Sequence, residues 1–218
     1  MTLRMSRIHY PVTALGPGRR VGIWTQGCSF GCPGCVSRDT WSPAAGSAHD
    51  VREIGSWLAD LCGSGDSVDG VTVSGGEPTE QPDALHALMS EIMTLRQVGV
   101  FAGDVLCYTG CELTEFLVRC PWAPDVIDAV ITGRFRIESP TDLVWRGSAN
   151  QRLVPLTDRG NRVYADHIDR TTQNPEIQLS VSDGQVWMIG IPRRGDLRQL
   201  EIALRADGVY LEDASWRP

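Results

Sequence analysis

The residues best suited to chemistry are three cysteines packed into eight positions, Cys28, Cys32 and Cys35, in the string CSFGCPGC. They put three soft thiolates on one loop, and thiolates select zinc or iron–sulfur clusters. Gly27, Gly31 and Gly34 interleave with them and let the backbone turn tightly. A structural zinc wants four ligands from a compact set. Here the next histidine is His49, and the next cysteine is Cys62, inside a helical pattern. Three thiolates without a fourth suit a [4Fe–4S] cube that keeps one iron open to an exogenous ligand. A zinc site and unrelated core cysteines are the competing readings.

Three further strings carry polar groups at the ends of apolar runs. Ser74-Gly75-Gly76-Glu77 follows the run Gly70 to Val73. Its glycines remove side chains where a ligand must approach the backbone, and Glu77 offers a carboxylate for a charge-assisted bond to a ligand ammonium. The bland reading is a Gly-Gly turn into a helix. Tyr108-Thr109-Gly110 ends another run, and the Thr109 hydroxyl is either a ligand contact or an ordinary turn residue. In Arg146 to Arg152 (RGSANQR), the Arg146 fork matches a carboxylate. The alternative is a solvated loop whose Asn and Ser cap turns.

The elements that must position these groups alternate. Arg19 to Gln26 reads as a strand entering the cysteine loop. Val51 to Cys62 has the apolar period of a helix (Val51, Ile54, Trp57, Leu58, Leu61), with Asp50 as its N-cap. Gly70 to Val73 is a short buried strand, and Asp83 to Val98 a second helix. Asp104 to Tyr108 is strand-like, Glu112 to Arg119 helical, and Val126 to Ile131 a strand. Such alternation predicts parallel βαβ units with functional loops at the strands' C-terminal ends. Four strands are too few for a complete eight-stranded barrel, so the expected fold class is α/β, an open or partial barrel.

Beyond about Gln173 the pattern changes. Glu176 to Val181 and Gln185 to Ile191 flank Asp183-Gly184, a hairpin signal. Alternation of Ile177, Leu179 and Val181 predicts one buried face. Gly195 to Ala206 reads as a helix and Val209 to Leu211 as a last strand. No linker precedes this tail, so residues 1–218 read as one domain with a small α+β extension from about 156.

The strings TQGCSFGCPGC (Thr25–Cys35), VSGGEP (Val73–Pro78), YTG (Tyr108–Gly110) and RGSANQR (Arg146–Arg152) resemble the radical S-adenosylmethionine (SAM) superfamily. Within it they resemble the activating proteins of anaerobic ribonucleotide reductase and related glycyl-radical enzymes, over roughly residues 5 to 155. The resemblance implies a partial (βα) barrel of the radical SAM type. It implies a [4Fe–4S] cluster on Cys28, Cys32 and Cys35, with SAM chelating the open iron and contacted by Gly75, Gly76, Glu77 and Thr109. Reductive cleavage of SAM to a 5′-deoxyadenosyl radical, and hydrogen abstraction from a protein or peptide, follow from it. So does a flavodoxin- or ferredoxin-type electron donor. Many members place an aromatic residue just before the third cysteine; here that position is Gly34, which leaves Phe30 and Trp41 as candidates to pack on adenine. The rival functions are modification of a ribosomal peptide or small metabolite, and a non-catalytic iron–sulfur protein.

Composition sets the outer limits. Of 218 residues, 42% are hydrophobic and 22% charged, which excludes a disordered chain. The formal charge of −7 disfavours nucleic-acid binding. All 20 basic residues are arginine, which removes Schiff-base and P-loop lysine chemistry. The chain has no membrane-length apolar run, and the first ten residues have no signal-peptide core, so a cytoplasmic protein without a membrane partner is expected. Cys62, Cys107, Cys111 and Cys120 read as small core residues, and the tryptophans as core rather than a binding platform.

Overall fold

The computed structural model describes residues 1–212 apart from Asp183, so the first residue of the expected Asp183-Gly184 turn lies outside the described residues. The chain begins with β1 (Thr2–Val12), β2 (Arg20–Thr25), β3 (Ser47–Asp50) and α1 (Val51–Gly63). It continues through β4 (Gly70–Gly75), α2 (Pro82–Gln97), β5 (Asp104–Tyr108), α3 (Leu113–Arg119) and the single turn α4 (Ala123–Val126). β6 (Ala129–Thr132), β7 (Arg152–Pro155) and α5 (Asp158–Tyr164) follow, and then β8 (Ile177–Ser182), β9 (Gln185–Gly190) and α6 (Asp196–Ala206).

One mixed sheet of seven strands, in the order β3-β1-β2-β4-β5-β6-β7, organises the chain. Its four central strands β2, β4, β5 and β6 are parallel, as the alternation predicts, and β1, β3 and β7 add antiparallel edges. The fold is therefore mixed α/β around a mostly parallel sheet. Side chains alternate across it. Val21, Ile23, Val71, Val73, Val105, Cys107 and Val130 enter the main core beneath α1 to α4. Trp24, Leu106, Tyr108 and Ile131 face the other way, towards smaller clusters closed by Tyr164 of α5 and Ile189 of β9.

Helix α1 starts where Asp50 accepts from the Arg52 N–H at 3.0 Å. Its Val51, Ile54 and Leu58 are buried, while Trp57 is left exposed at the edge of the apolar stripe. Among the described tryptophans only Trp24 is fully buried, so they supply less of the core than the composition suggests. At the N-terminal ends of the parallel strands, buried Arg20 pairs bidentately with Asp104 (2.7 and 3.0 Å) and donates to the Thr72 hydroxyl at 2.6 Å and the Val71 carbonyl at 2.9 Å. This network ties β2, β4 and β5 together at the end opposite the cysteine loop.

Several expectations need correction. The strand expected over Val126 to Ile131 starts only at Ala129, because Ala123–Val126 winds into a helical turn with Pro124 in its first positions. No strand forms at Val209 to Leu211; the Val209 N–H instead returns to the Leu204 carbonyl at 2.8 Å, closing α6. β3 carries no apolar run and exists through its ladder with β1. The hairpin β8–β9 forms, but as a separate two-stranded sheet whose buried side is the opposite one. Leu179 is 41% and Val181 72% exposed. Contact runs through Gln178, which donates to the Pro11 carbonyl at 2.7 Å, through Ile189, and through Trp187 beneath Arg7. A polar side chain that satisfies the β1 backbone decides the docking face here, against the apolar alternation.

Candidate functional site

The motif strings leave the sheet at one edge. The cysteine loop follows β2, Gly76-Glu77 follows β4, Thr109-Gly110 follows β5 and Gly133-Arg134 follows β6. These are the C-terminal ends of four adjacent parallel strands, where such sheets assemble ligand sites.

Backbone contacts join the first two strings. The Gly76 N–H donates to the Thr25 carbonyl at 2.8 Å and the Glu77 N–H to the Gly27 carbonyl at 2.7 Å. Only glycine permits this approach: a Cβ on Gly76 would lie 2.2 Å from the Gly27 oxygen, and one on Gly75, at φ +102°, 2.5 Å from the Thr25 nitrogen. The loop's return is fixed as well, by the Gly27 and Cys28 N–H groups donating to Thr40 and Trp41 carbonyls at 2.8 and 3.0 Å. Buried Gln26 donates to the Asp39 and Ser42 carbonyls at 3.0 and 2.9 Å.

Glu77 is 2% exposed and joins three strings. Its Oε1 accepts from the Thr79 N–H (3.0 Å), the Thr79 hydroxyl (2.7 Å) and the Thr109 hydroxyl (2.8 Å), and its Oε2 from the Gly110 N–H (2.7 Å). Thr109 also accepts from the Cys111 N–H at 3.0 Å. Each carboxylate oxygen offers about two acceptor sites; Oε2 takes only the Gly110 N–H, so it keeps the capacity for one more donor. Phe30 leans on Gly110 beside that oxygen, under the Arg134 guanidinium at 4.2 Å.

The three cysteines sit half-buried on their loop. Burial pushes the Cys28 thiol up, and burial with the neighbouring Cys35 does the same to Cys32. Among the described residues no three His, Cys, Asp or Glu side chains gather at one centre, as a single metal ion would need. A cube receives each thiolate at a different iron, so it needs separated thiolates and only three. Cys107, Cys111 and Cys120 lie in the main core and Cys62 packs against it, so none of them supplies a fourth ligand. The donor set fits a cluster with one open iron and does not fit a closed four-ligand zinc site.

RGSANQR is neither a solvated loop nor a carboxylate clamp as it stands. Gln151 accepts from the Gly147 and Ser148 N–H groups (2.8 and 3.2 Å) and donates to the Gly133 carbonyl at 3.0 Å. Asn150 donates to the Arg134 carbonyl at 2.8 Å. The string staples the turn after β6, which lays Ile137 against Gly34 and Arg134 over Phe30. Sequence reasoning missed Glu80, Arg134 and Ile137, because each touches the cysteine loop from a distant stretch of chain. Arg146 is 5% exposed and donates to the Val144 and His167 carbonyls at 3.2 and 3.1 Å.

Residues 14–154 match the model of the 4Fe-4S single cluster domain. Anaerobic ribonucleoside-triphosphate reductase-activating proteins are similar over about two thirds of the chain. That of Salmonella typhimurium is 32% identical over 149 residues, covering 66% of this chain and 93% of the relative. That of Vibrio cholerae is 31% identical over 152 residues (68% and 96%), and that of Haemophilus influenzae 30% over 145 residues (66% and 92%). The matched stretch holds every loop just described, and the chain belongs to the 4Fe-4S single cluster domain family, in the radical SAM group that contains the activating proteins of anaerobic ribonucleotide reductase.

Proposed function

We propose that this chain is a radical SAM activating enzyme that abstracts hydrogen from the backbone of a protein or peptide substrate. The observation that carries this is the bonding of the cysteine loop to Glu77, and of Glu77 to Gly110, across the C-terminal ends of β2, β4 and β5. Cys28, Cys32 and Cys35 hold a [4Fe–4S] cluster, and Gly75, Gly76, Glu77 and Thr109 form the SAM side of the site. When bound, the cluster and SAM together supply one-electron reductive cleavage and a 5′-deoxyadenosyl radical.

The chain's own residues bind and orient. Gly75 and Gly76 bring the β4 backbone against the cysteine loop. Thr79, Thr109 and Gly110 fix the Glu77 carboxylate so that Oε2 can accept from a ligand ammonium. Phe30 and the Arg134 turn shelter that oxygen from water. The sheet is read as a partial (βα) barrel, and residues 1–218 as one domain with an extension from about residue 156. Reduced flavodoxin or ferredoxin is the electron donor, and the enzyme works in the cytoplasm without nucleic-acid or membrane partners. Among the described residues no helix is long and apolar enough to cross a membrane.

One observation favours a second reading. The extension from about residue 156 lies outside the family match, which ends at 154, so it could serve a different substrate, such as a ribosomal peptide.

Anaerobic reconstitution tests the proposal. Wild-type protein should load close to four irons and four sulfides, Cys32→Ala should load none, and dithionite with SAM should yield 5′-deoxyadenosine. One iron per chain, or a tightly held zinc without sulfide, would overturn the cluster assignment.

A further inference from the structure

A cleft of about 940 Å³ opens between the cysteine loop, the Arg146–Gly147 turn and the C-terminal extension. Gly34 and Val36 form one side, Trp145 and Arg146 another, and the stretches around Arg170 and Arg193 the third. That third wall comes from residues after 154, beyond the family match. A segment seated here lies against the third proposed cluster ligand, Cys35, through its neighbours Gly34 and Val36.

Its charge runs against the molecule's. On a chain of formal charge −7, the ionised lining groups are Arg146, Arg170, Arg193, Arg194, Asp142 and Glu176, with His167 beside them. Arg193 and Asp142 neutralise each other at 2.9 Å, and Glu176 accepts from the Thr13 hydroxyl. Among the described residues, the Arg170 side chain hydrogen-bonds only the His167 ring, at 3.3 Å. Arg194 is exposed. Arg146 is the built element: a residue 5% exposed, its guanidinium held by two carbonyls and paired with no carboxylate among the described residues. Asp169 bears on it only at a distance, and the neighbouring buried Tyr108 hydroxyl has no hydrogen-bond partner among the described residues. Burying a guanidinium is costly unless an anion joins it. A carboxylate from outside would complete the site, and a guanidinium binds one bidentately.

We propose that this cleft binds an acidic segment of the substrate protein, one carboxylate seated on Arg146 and flanking acidic residues read by Arg170 and Arg194. The extension is then the specificity wall, and the substrate stretch beside the reacting position carries Asp or Glu. This rests on the activating-enzyme reading above and deepens it.

The test uses reconstituted full-length protein and two fluorescein-labelled peptides, Gly-Asp-Glu-Gly-Asp-Glu-Gly and its Asn/Gln isostere, followed by fluorescence anisotropy. The acidic peptide should bind about tenfold or more tightly, and its affinity should fall with salt. Arg194→Glu and Arg170→Glu, both at exposed positions, should each weaken it about three- to tenfold without moving the isostere. Arg146→Gln should abolish the preference, with circular dichroism checking its fold. Equal affinity for the two peptides, or an acidic-peptide affinity untouched by both charge reversals, would overturn the proposal. 5′-Deoxyadenosine formed by wild-type protein without peptide reports the radical SAM reading separately, so the two can fail independently.

Discussion

Glu80 grips the cysteine loop through a single residue, Ser29, whose N–H donates to Oε1 at 2.7 Å and whose hydroxyl donates to the same oxygen at 2.6 Å. An acid three residues beyond Glu77 thereby fixes the stretch between Cys28 and Cys32. The loop is anchored at both ends by backbone and in its middle by this carboxylate.

Glu80→Ala should therefore weaken cluster retention although every cysteine remains. Charge-assisted hydrogen bonds contribute about 1.5–3 kcal/mol when sheltered, and an exposed carboxylate such as this one contributes less. Loss of visible cluster absorbance under a chelator should run about two- to tenfold faster than in wild type. An unchanged rate would mean that Ser29 needs no tether.

Glu77→Ala should do two things at once. It removes the acceptor of four donors around a buried position. Unsatisfied buried donors cost about 1–3 kcal/mol each, and the hydroxyls can turn elsewhere, so a loss of about 2–5 kcal/mol is expected from urea unfolding. Glu77→Gln should recover part of that stability. In cluster-loaded Glu77→Gln protein, SAM affinity should still fall at least about tenfold, since the amide lacks the charge that a ligand ammonium seeks. Equilibrium dialysis of SAM decides this.

The sequence made the site's inventory legible, but not its bracing. The string from Thr25 to Cys35 reads at once, because its cysteines and turn glycines are local. That β2, β4, β5 and β6 run parallel follows from the alternation of strand and helix. Glu80, Gln26 and Ile137 do not announce themselves, since their partners are set by where loops meet. The hairpin shows the same limit: apolar alternation in β8 points to one face, yet Gln178 and Ile189 dock the other. β1 went unread because Arg4, Arg7 and His9 break its apolar pattern.

The apoprotein should lose stability at alkaline pH. Burial pushes the thiols of Cys107, Cys111 and Cys120 up, the last to about 12. The folded state thus holds these protons more tightly than the unfolded chain. Their contribution is complete below the ordinary thiol range, about 8.5, and drains away as pH climbs from there towards 12. Urea midpoints should be level from pH 7 to about 8 and fall steadily above about 9. A Cys120→Ala variant, less stable at neutral pH, should show a shallower decline.

Truncation after Thr172 should weaken the fold without dismantling it. The cut uncovers Val12, Leu15 and Trp24, which Ile189 covers, and leaves the Pro11 carbonyl without its Gln178 donor. Each buried apolar side chain contributes roughly 1.5–3 kcal/mol, while the main core under α1 to α4 stays whole. The expected result is a lower melting temperature with iron loading retained. Protein that melts as wild type would show that the hairpin rests on the sheet without stabilising it.

The close approach of Gly76 to the Gly27 carbonyl makes the cysteine loop part of the sheet's own framework. The backbone bonds that shape the cysteine loop link it to the end of β4, to Glu77 and to the Thr40–Trp41 return. A zinc finger, by contrast, acquires its shape from the ion. Here the loop shares its backbone bonds with the sheet, so a side chain added at Gly76 would displace the cysteine loop through the Gly27 carbonyl.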